Sequence, residues 1–111
     1  MLTSTLDGVP GYRVVEHLGL VQGSTVRTKH LGRDIMASVK ELVGGELRGY
    51  TELLNEAREE AVARMCAAAE ELGADAILSI RFGAANIGGK AAEILVYGTA
   101  VRLSPGATPS P

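Results

Sequence analysis

The stretch that decides the fold runs from Tyr50 to Leu72 and reads YTELLNEAREEAVARMCAAAEEL, followed directly by Gly73-Ala74-Asp75-Ala76. Apolar residues recur in it at spacings of three and four, the period of a helix with one buried stripe. The members of this stripe are Leu54, Ala57, Ala61, Met65, Ala68 and Leu72. Gly73 suits the position just after a helix, where a left-handed residue satisfies the last carbonyl groups without a Cβ clash. The stretch therefore predicts one long amphipathic helix that ends at a glycine.

The composition of this stripe bears on how the helix packs. Three of its six members are alanines, and their small side chains let a helix approach a sheet closely while each contributes little apolar area. We therefore predict a helix that packs tightly on a sheet. A second apolar stripe lies beside the first and contains Val62, Cys66 and Ala69. The alternative interpretation is that this second stripe contacts another subunit.

The segments on either side of the helix carry β-forming residues. Tyr12 to Val26 and Ala91 to Leu103 are long runs with apolar residues on both faces, which is typical of strands that are buried on both sides. Ile77 to Phe82 predicts a further strand, and Gly88-Gly89 predicts the hairpin turn that joins it to the last one. The sequence thus predicts three strands.

Two other segments complete the order of elements. Thr3 to Gly11 contains turn-forming pairs and is predicted to be irregular. Arg33 to Val43 has an i, i+4, i+7 apolar face, which predicts a short helix that ends at Gly44-Gly45. The order β, α, α, β, β predicts an α+β fold, namely a two-layer β-α-β-β subunit in which a three-stranded, mainly antiparallel sheet carries the helices on one face.

Three strands beneath one helical layer leave apolar groups and strand edges uncovered. Covering them requires further copies of the chain, so we predict a closed homo-oligomer. The chain of 111 residues has room for one core. We place a single domain at residues 1–103 and a small, polar, proline-rich tail at residues 104–111, which we expect to be disordered.

Composition excludes several classes of partner. The net charge is −2 and the basic residues are dispersed, so we expect no nucleic acid partner. No run of apolar residues is long enough to span a membrane, and the N-terminus has no signal-peptide pattern. Cys66 is the one cysteine and cannot form an internal disulfide. We therefore expect a cytoplasmic protein.

Four short strings, in this order and at these spacings, resemble the YbjQ family of small bacterial and archaeal proteins over residues Leu2 to Leu103. They are Arg33-Asp34 before an apolar helix and Val43-Gly44-Gly45; Tyr50-x3-Leu54-x2-Ala57-Arg58-Glu59-x-Ala61; Leu72-Gly73-Ala74-Asp75-Ala76; and Gly98-Thr99-Ala100-Val101. The resemblance implies a ring of subunits, typically a propeller-like pentamer, and a decamer where two rings stack. It also implies a heavy-metal-binding label, which makes a divalent heavy metal ion a candidate cofactor.

The residue types that bind heavy metals are sparse in this chain. Soft and borderline metals prefer clusters of cysteine and histidine, and Cys66, His17 and His30 are not at ligand spacing from one another. Family members often carry acidic residues in the strand after the Gly-Ala-Asp-Ala string, where this chain has Arg81 and Gly83. A site could still form on a ring axis, where symmetry multiplies one ligand per subunit. The alternative is that the histidines are structural, and the metal ligands stay unknown.

A polar set gives a second candidate site, and its members are Arg33, Asp34, Tyr50, Arg58 and Glu59. By spacing Arg58 lies near the apolar stripe, where an arginine needs a carboxylate or carbonyl partner such as Asp34. One interpretation is an ion pair that fixes helix or subunit geometry. The other is a small anionic ligand held by Arg58 and Arg33 at a subunit boundary, since the arginine fork suits carboxylate and phosphate groups.

No catalytic motif is present, so we do not predict an enzyme. There is no nucleophile elbow, no HExxH motif and no phosphate-binding GxxxxGK[ST] spacing. The sequence predicts a homo-oligomeric ring that binds a metal ion or a small anionic ligand at subunit interfaces. Two alternatives stay open: a scaffolding assembly that recruits a protein partner, and an enzyme whose site forms only across subunits.

Overall fold

A computed structural model describes residues 1–28, 48–87 and 91–106 of the chain. Five elements follow one another in this part: β1 (Leu2–Thr3), β2 (Tyr12–Thr28), α1 (Arg48–Glu71), β3 (Ala76–Ile87) and β4 (Ala91–Pro105). The strands form a single sheet with the helix packed on one face, which confirms the predicted α+β class. The short helix predicted from Arg33 to Val43 lies outside the described residues, as does the turn at Gly88-Gly89.

The sheet has four strands in the order β1-β3-β4-β2 and is mixed, so the prediction of three strands was wrong. β1 pairs with β3 in parallel, whereas β3 with β4 and β4 with β2 pair antiparallel. Two residues of β1 are too few to show an alternating pattern in the sequence. Backbone bonds hold this strand in place: the Leu2 N–H donates to the Asp75 carbonyl over 3.3 Å, and the Ser4 N–H donates to the Ile77 carbonyl over 2.9 Å.

The three longer strands occupy the predicted stretches of sequence. β4 continues to Pro105, two residues into the segment predicted as a tail, and Pro105 pairs with Tyr12 at the start of β2. The Gly106 N–H donates to the Gly11 carbonyl over 3.0 Å just beyond this pair. Residues 107–111 lie outside the described part of the chain.

The helix ends at Gly73 as its sequence predicts. Gly73 has a φ of +76°, in the left-handed region that glycine adopts without strain. Its N–H donates to the Glu70 carbonyl over 3.0 Å, and the Ala74 N–H donates to the Ala69 carbonyl over 3.1 Å. These two bonds form a Schellman motif, which satisfies carbonyl groups that the last helical turn leaves free.

The buried stripe of α1 differs from the predicted one at its C-terminal end. Ala57, Ala61, Met65 and Ala69 are fully buried, whereas Leu72 is 47% exposed. These four residues follow one another at a constant spacing of four, the row of side chains that runs obliquely across a helix. The oblique row brings Ala69 into the core and carries Leu72, which follows the last helical residue, out of it. Ala69 therefore contacts the sheet of its own chain.

The helix and β2 approach each other most closely at Gly23. A Cβ atom on this residue would lie 2.1 Å from the Ala61 carbonyl oxygen and 2.6 Å from the Met65 nitrogen. Two residues further along β2, the buried Thr25 hydroxyl donates to the Ala57 carbonyl over 3.1 Å. Small residues on both elements thus allow backbone-to-backbone packing.

The two faces of the sheet carry separate apolar clusters. The larger lies beneath α1 and includes Met65, Ile77, Val96 and Ala100. The smaller consists of Ala76, Leu78 and Val101, with Val9 and Leu103 packed against it. Because neighbouring residues on a strand point to opposite faces, the smaller cluster lies on the face away from the helix. Part of that face is therefore covered by the chain's own N-terminal segment.

A β-bulge in β3 fixes where this N-terminal segment runs. The pairing of β3 with β4 shifts between Leu78 and Arg81, and Ser79 has a φ of +54°. Its N–H donates to the Leu6 carbonyl over 2.8 Å, and the Ile80 N–H donates to the Ser4 carbonyl over 3.1 Å. The bulge turns these two donors away from β4, and the N-terminal segment accepts from them.

Candidate functional site

The structure describes two side chains of the predicted polar set. Arg33 and Asp34 lie outside the described residues, and Tyr50 is placed in α1 without a described side chain. Arg58 and Glu59 are adjacent and exposed on α1. The five residues therefore remain a prediction as a site.

The Arg58 guanidinium has a neutral partner within the described part of the chain. Its Nη1 donates to the Asn55 Oδ1 over 2.9 Å, one turn back along the same helix. Its spacing predicted a position near the apolar stripe, where it would require a carboxylate or carbonyl partner. The side chain is instead exposed, and an amide oxygen accepts one of its hydrogen bonds. Within the described part of the chain, Asn55 is the one residue whose side chain accepts a hydrogen bond from this guanidinium.

Arg64, on the opposite side of α1, differs from Arg58 in that it is bonded both to the sheet and to a carboxylate. Arg64 donates to the Ser24 carbonyl of β2 and forms an ion pair with Glu60, one turn earlier on the helix. These contacts place residues 60 and 64 over β2, which is one edge of the sheet. Because β3 lies on the other side of β4, the helix flank that contains Arg58 faces towards β3.

The helix packs over β2 and β4 and hardly reaches β3. Phe82 of β3 pairs with Val96, whose side chain is buried beneath α1, so the Phe82 ring is on the same face of the sheet as the helix. It is nevertheless 53% exposed. Ala84 pairs with the buried Ile94 in the same way and is also exposed. Phe82 and Ala84 thus form an apolar strip of β3 that the described part of the chain leaves exposed on the helix face of the sheet.

The described residues contain no group of three or more His, Cys, Asp or Glu side chains that could hold a metal ion. Cys66 is partly buried and packs against the main core. His17 is exposed on β2, where it pairs with Val101. His30 lies outside the described part of the chain.

Arg81 stands where the family resemblance leads one to look for acidic residues, and it holds the N-terminal segment. Its Nη1 donates to the Thr5 carbonyl over 2.9 Å and to the Ile80 carbonyl over 2.8 Å. This arginine therefore supplies a structural contact that sequence reasoning did not anticipate, because its acceptors are backbone carbonyls and one of them is remote in sequence.

The Leu72-Gly73-Ala74-Asp75-Ala76 string also has a structural role. The Asp75 Oδ2 accepts from the Leu103 N–H over 2.8 Å, and the Asp75 N–H donates to the Val101 carbonyl over 2.9 Å. Arg102 donates to the Gly73 carbonyl over 3.2 Å at the end of the helix, where a cation interacts favourably with the helix dipole. The string thus ties the end of α1 to β4.

Large apolar side chains are exposed on the sheet face away from α1. Leu20 is 70% exposed and pairs with Thr99, and Val26 and Tyr97 are exposed on the same face. Val14 and Tyr12 continue the exposed row towards the start of β2. The strand that carries most of these residues is also an edge of the sheet, with one side paired to β4.

In the part of the chain that the structure describes, no helix combines the length and apolarity that a membrane crossing needs.

Known proteins resemble this chain over nearly its whole length. A family model described as "Putative heavy-metal-binding" matches residues 1–104. A UPF0145 protein of Thermus thermophilus is 61% identical over 105 residues, which cover 95% of this chain and 92% of the relative. UPF0145 proteins of Hahella chejuensis and Thermotoga maritima are each 56% identical, over 101 and 103 residues, which cover 91% and 93% of this chain and 97% of each relative.

A solved structure has the same fold. It is the crystal structure of a protein of unknown function from Pediococcus pentosaceus, assigned to the DUF74 family, with a TM-score of 0.62. The match covers 94% of this chain and 98% of that chain at 16% identity, so the likeness concerns the fold alone. The family model and the curated relatives are much more specific, and they show that the chain belongs to the YbjQ (UPF0145) family.

Proposed function

We propose that this protein functions as a homo-oligomeric ring in the cytoplasm, with five subunits, and that it binds a small anionic ligand or a metal ion where subunits meet. The observation that carries the proposal is the exposed apolar row on the sheet face away from α1, which includes Leu20, Val26 and Tyr97. Fully burying one such side chain stabilises an assembly by roughly 1.5–3 kcal/mol. A row of this kind is typical of a surface that another polypeptide covers.

The edges of the sheet support the same proposal. β2 has 17 residues and pairs on one side, and β1 pairs with only the start of β3. Unpaired N–H and C=O groups on long edges favour association with a further strand. A second copy of the chain offers the same complementary edges, so association can continue until the ring closes.

Arg58 supports the ligand part of the proposal. Its guanidinium is exposed and bonds to the neutral Asn55, so it retains donors for a carboxylate or a phosphate. The metal alternative rests on the description of the family model. Metal ligands would come from several subunits around the ring axis.

Native mass spectrometry and light scattering of the purified protein test the assembly. We expect a species of several subunits at micromolar concentration, and we expect Leu20→Asn combined with Val26→Asn to shift it towards the 11.6 kDa chain. Leu72→Asn is the matched control, because Leu72 is exposed at the end of the helix and away from this face. A wild-type protein that is a monomer under these conditions would refute the assembly.

Equilibrium dialysis against zinc, copper and nickel tests the metal alternative in the same preparation. Stoichiometric uptake by the assembled protein, and loss of uptake by the dissociated variant, would support a metal at subunit interfaces. No uptake of any of the three metals would reject the metal alternative and leave the anionic ligand.

A further inference from the structure

The hydrogen bonds of β4 show which backbone groups of its neighbours point out of the sheet. The Leu103 N–H and the Val101 carbonyl both bond to Asp75, on the β3 side. The Gly106 N–H bonds instead to Gly11, on the β2 side. Successive residues of a strand bond to opposite neighbours. The odd-numbered residues of β4 therefore bond towards β3, and the even-numbered residues bond towards β2.

This alternation leaves an open edge on β3. Phe82 pairs with Val96, and Ala84 pairs with Ile94. Both partners bond towards β2, so Phe82 and Ala84 direct their N–H and C=O groups away from β4. Among the residues that the structure describes, the N-terminal segment bonds to this side of β3 no further along than Ile80. We call the outward backbone and exposed side chains of Phe82 and Ala84 the β3 edge; an added strand would cover both.

The opposite edge of the sheet, on β2, is occupied at one point by Arg64. Ser24 pairs with Leu95, which bonds towards β3, so the Ser24 carbonyl points out of the sheet. Arg64 donates to this carbonyl, and its guanidinium forms an ion pair with Glu60. A strand added at this point would have to displace the arginine. The part of the β2 edge that another chain can reach directly therefore lies before Ser24.

The beginning of β2 is exposed on both faces. Residues 12–17 are all exposed, and Val15 is half exposed on the helix face, opposite to the face that carries Tyr12 and Val14. The partners of Tyr12 and Val14 in β4 are odd-numbered, so the N–H and C=O groups of these two residues point out of the sheet. This segment thus combines an open strand edge with exposed apolar side chains.

The same segment carries one positive charge without a partner. Glu16 lies 3.6 Å from the Arg102 guanidinium and pairs with it across the strands. Arg13, on the helix face like Val15, has neither a hydrogen bond nor an ion pair within the described ranges. The segment therefore favours an acidic neighbour on its helix face.

We infer that residues 12–17 of one copy add as a strand to the β3 edge of the next copy. Paired strands share the two faces of their sheet, so Arg13 and Val15 arrive on the helix face of the neighbouring copy. There Val15 covers Phe82, and Arg13 lies beside Glu59 of α1. The inference rests on the proposed ring, and it names the two surfaces that join its subunits.

Glu59 supplies the complementary charge at the required height. It is exposed and has no ion-pair partner among the described residues. Along α1 it lies between Ala57 and Ala61, which are level with the strand rows that lead to Ala84 and Phe82. Because the two joined surfaces differ, each copy offers one of each, and addition continues until a ring closes.

A proline placed in the β3 edge tests the strand addition. Ala84→Pro removes an outward N–H, leaves the bonds between β3 and β4 in place, and obstructs an incoming strand. We expect the concentration of half-assembly, measured by sedimentation equilibrium, to rise by about tenfold or more. Gln22→Pro is the matched control, because it removes an outward N–H from β2 next to the point that Arg64 occupies. It should assemble as wild type does.

A charge exchange tests the same interface without a proline. Arg13→Glu and Glu59→Arg each bring like charges together, and each should weaken assembly by about tenfold or more. The double variant restores opposite charges and should restore assembly. Both residues are exposed, so circular dichroism should show wild-type folding in all three variants. These variants decide the question if Ala84→Pro fails to fold.

The outcomes separate this inference from the proposed assembly. An assembled wild type whose single charge variants assemble normally, or are not rescued by the double variant, overturns the inference and leaves the ring standing. The same holds if a folded Ala84→Pro assembles normally, or if Gln22→Pro dissociates the ring as strongly. A monomeric wild type refutes the ring and this inference together.

Discussion

Gly23 lies directly against the Ala61 carbonyl, so that a Cβ atom on residue 23 would be 2.1 Å from that oxygen. The same Cβ would be 2.6 Å from the Met65 nitrogen. Both neighbours are backbone atoms, which cannot rotate away as the end of a flexible side chain can. The spacing between α1 and β2 is therefore set by backbone contact at this point.

The first prediction follows from this contact. Gly23→Ala should lower the free energy of unfolding by about 3 kcal/mol or more, because the added methyl forces the helix away from the strand. Urea denaturation at one fixed protein concentration measures the change, since the stability of an oligomer depends on concentration. Gly83→Ala is the control: it also places alanine in a strand, yet its Cβ would meet nothing within 4 Å. Equal losses in the two variants would mean that the close contact is not what limits substitution.

The second prediction separates the two ends of the helix stripe. Met65→Ala should cost about 2–5 kcal/mol, because Met65 is fully buried and its removal leaves a cavity. Leu72→Ala removes a side chain of similar size and should cost less than about 1 kcal/mol, since Leu72 is half exposed. The ratio of the two losses, measured by thermal unfolding under identical conditions, tests the position of the stripe. Similar losses would show that Leu72 contributes to the core as much as Met65 does, and that the stripe is misplaced.

The helix and its end could be predicted from sequence because their signals are local. The apolar residues recur with the helical period of 3.6, and a glycine follows the last turn of the helix. Both signals come from residues within the helix or directly next to it. β1 gave no such signal, because Leu2-Thr3 is held by hydrogen bonds to residues far along the chain. The position of the stripe at Ala69 and Leu72 also depends on the angle at which the helix crosses the sheet, and local spacing does not contain that angle.

The candidate site shows the same division between local and distant information. The sequence indicated Arg58 through its position on the helix and through its guanidinium group, whose geometry suits carboxylates and phosphates. It did not indicate that Phe82 is half exposed on the helix face of the sheet, because this exposure depends on β3 lying beyond β4, where the helix hardly reaches. Strand order is a property of the whole fold, so the pattern of a single strand could not have shown which strand the helix leaves exposed.

The third prediction concerns the hydrogen bond between Asp75 and β4. Asp75→Ala should cost about 1 kcal/mol, because the Leu103 N–H loses its side-chain acceptor and bonds to water instead. Asp75→Asn keeps an acceptor oxygen at the same place and should cost less than half as much. Hydrogen exchange of the Leu103 amide measures the effect directly, with faster exchange expected in the alanine variant. An unchanged exchange rate would show that this bond does not protect the amide.

The fourth prediction uses the backbone conformation of Ser79. At a φ of +54° a side chain with a Cβ is strained, and glycine is not. Ser79→Gly should therefore be neutral or stabilise the protein by up to about 1 kcal/mol, once the greater freedom of glycine in the unfolded chain is included. Ser79→Val should destabilise it by about 1–3 kcal/mol, since a β-branched residue fits this region worst.

The Ser79 variants also report on the N-terminal segment. The positive φ turns the Ser79 N–H towards the Leu6 carbonyl, so a valine that drives residue 79 back to an extended conformation should release that contact. Limited proteolysis within residues 4–11 should then become faster in Ser79→Val and stay slow in Ser79→Gly. If valine lowered stability without faster cleavage there, the strain at residue 79 would be real but would not hold the segment. Faster cleavage in both variants would mean that the serine side chain, rather than the turn of its backbone, keeps the segment in place.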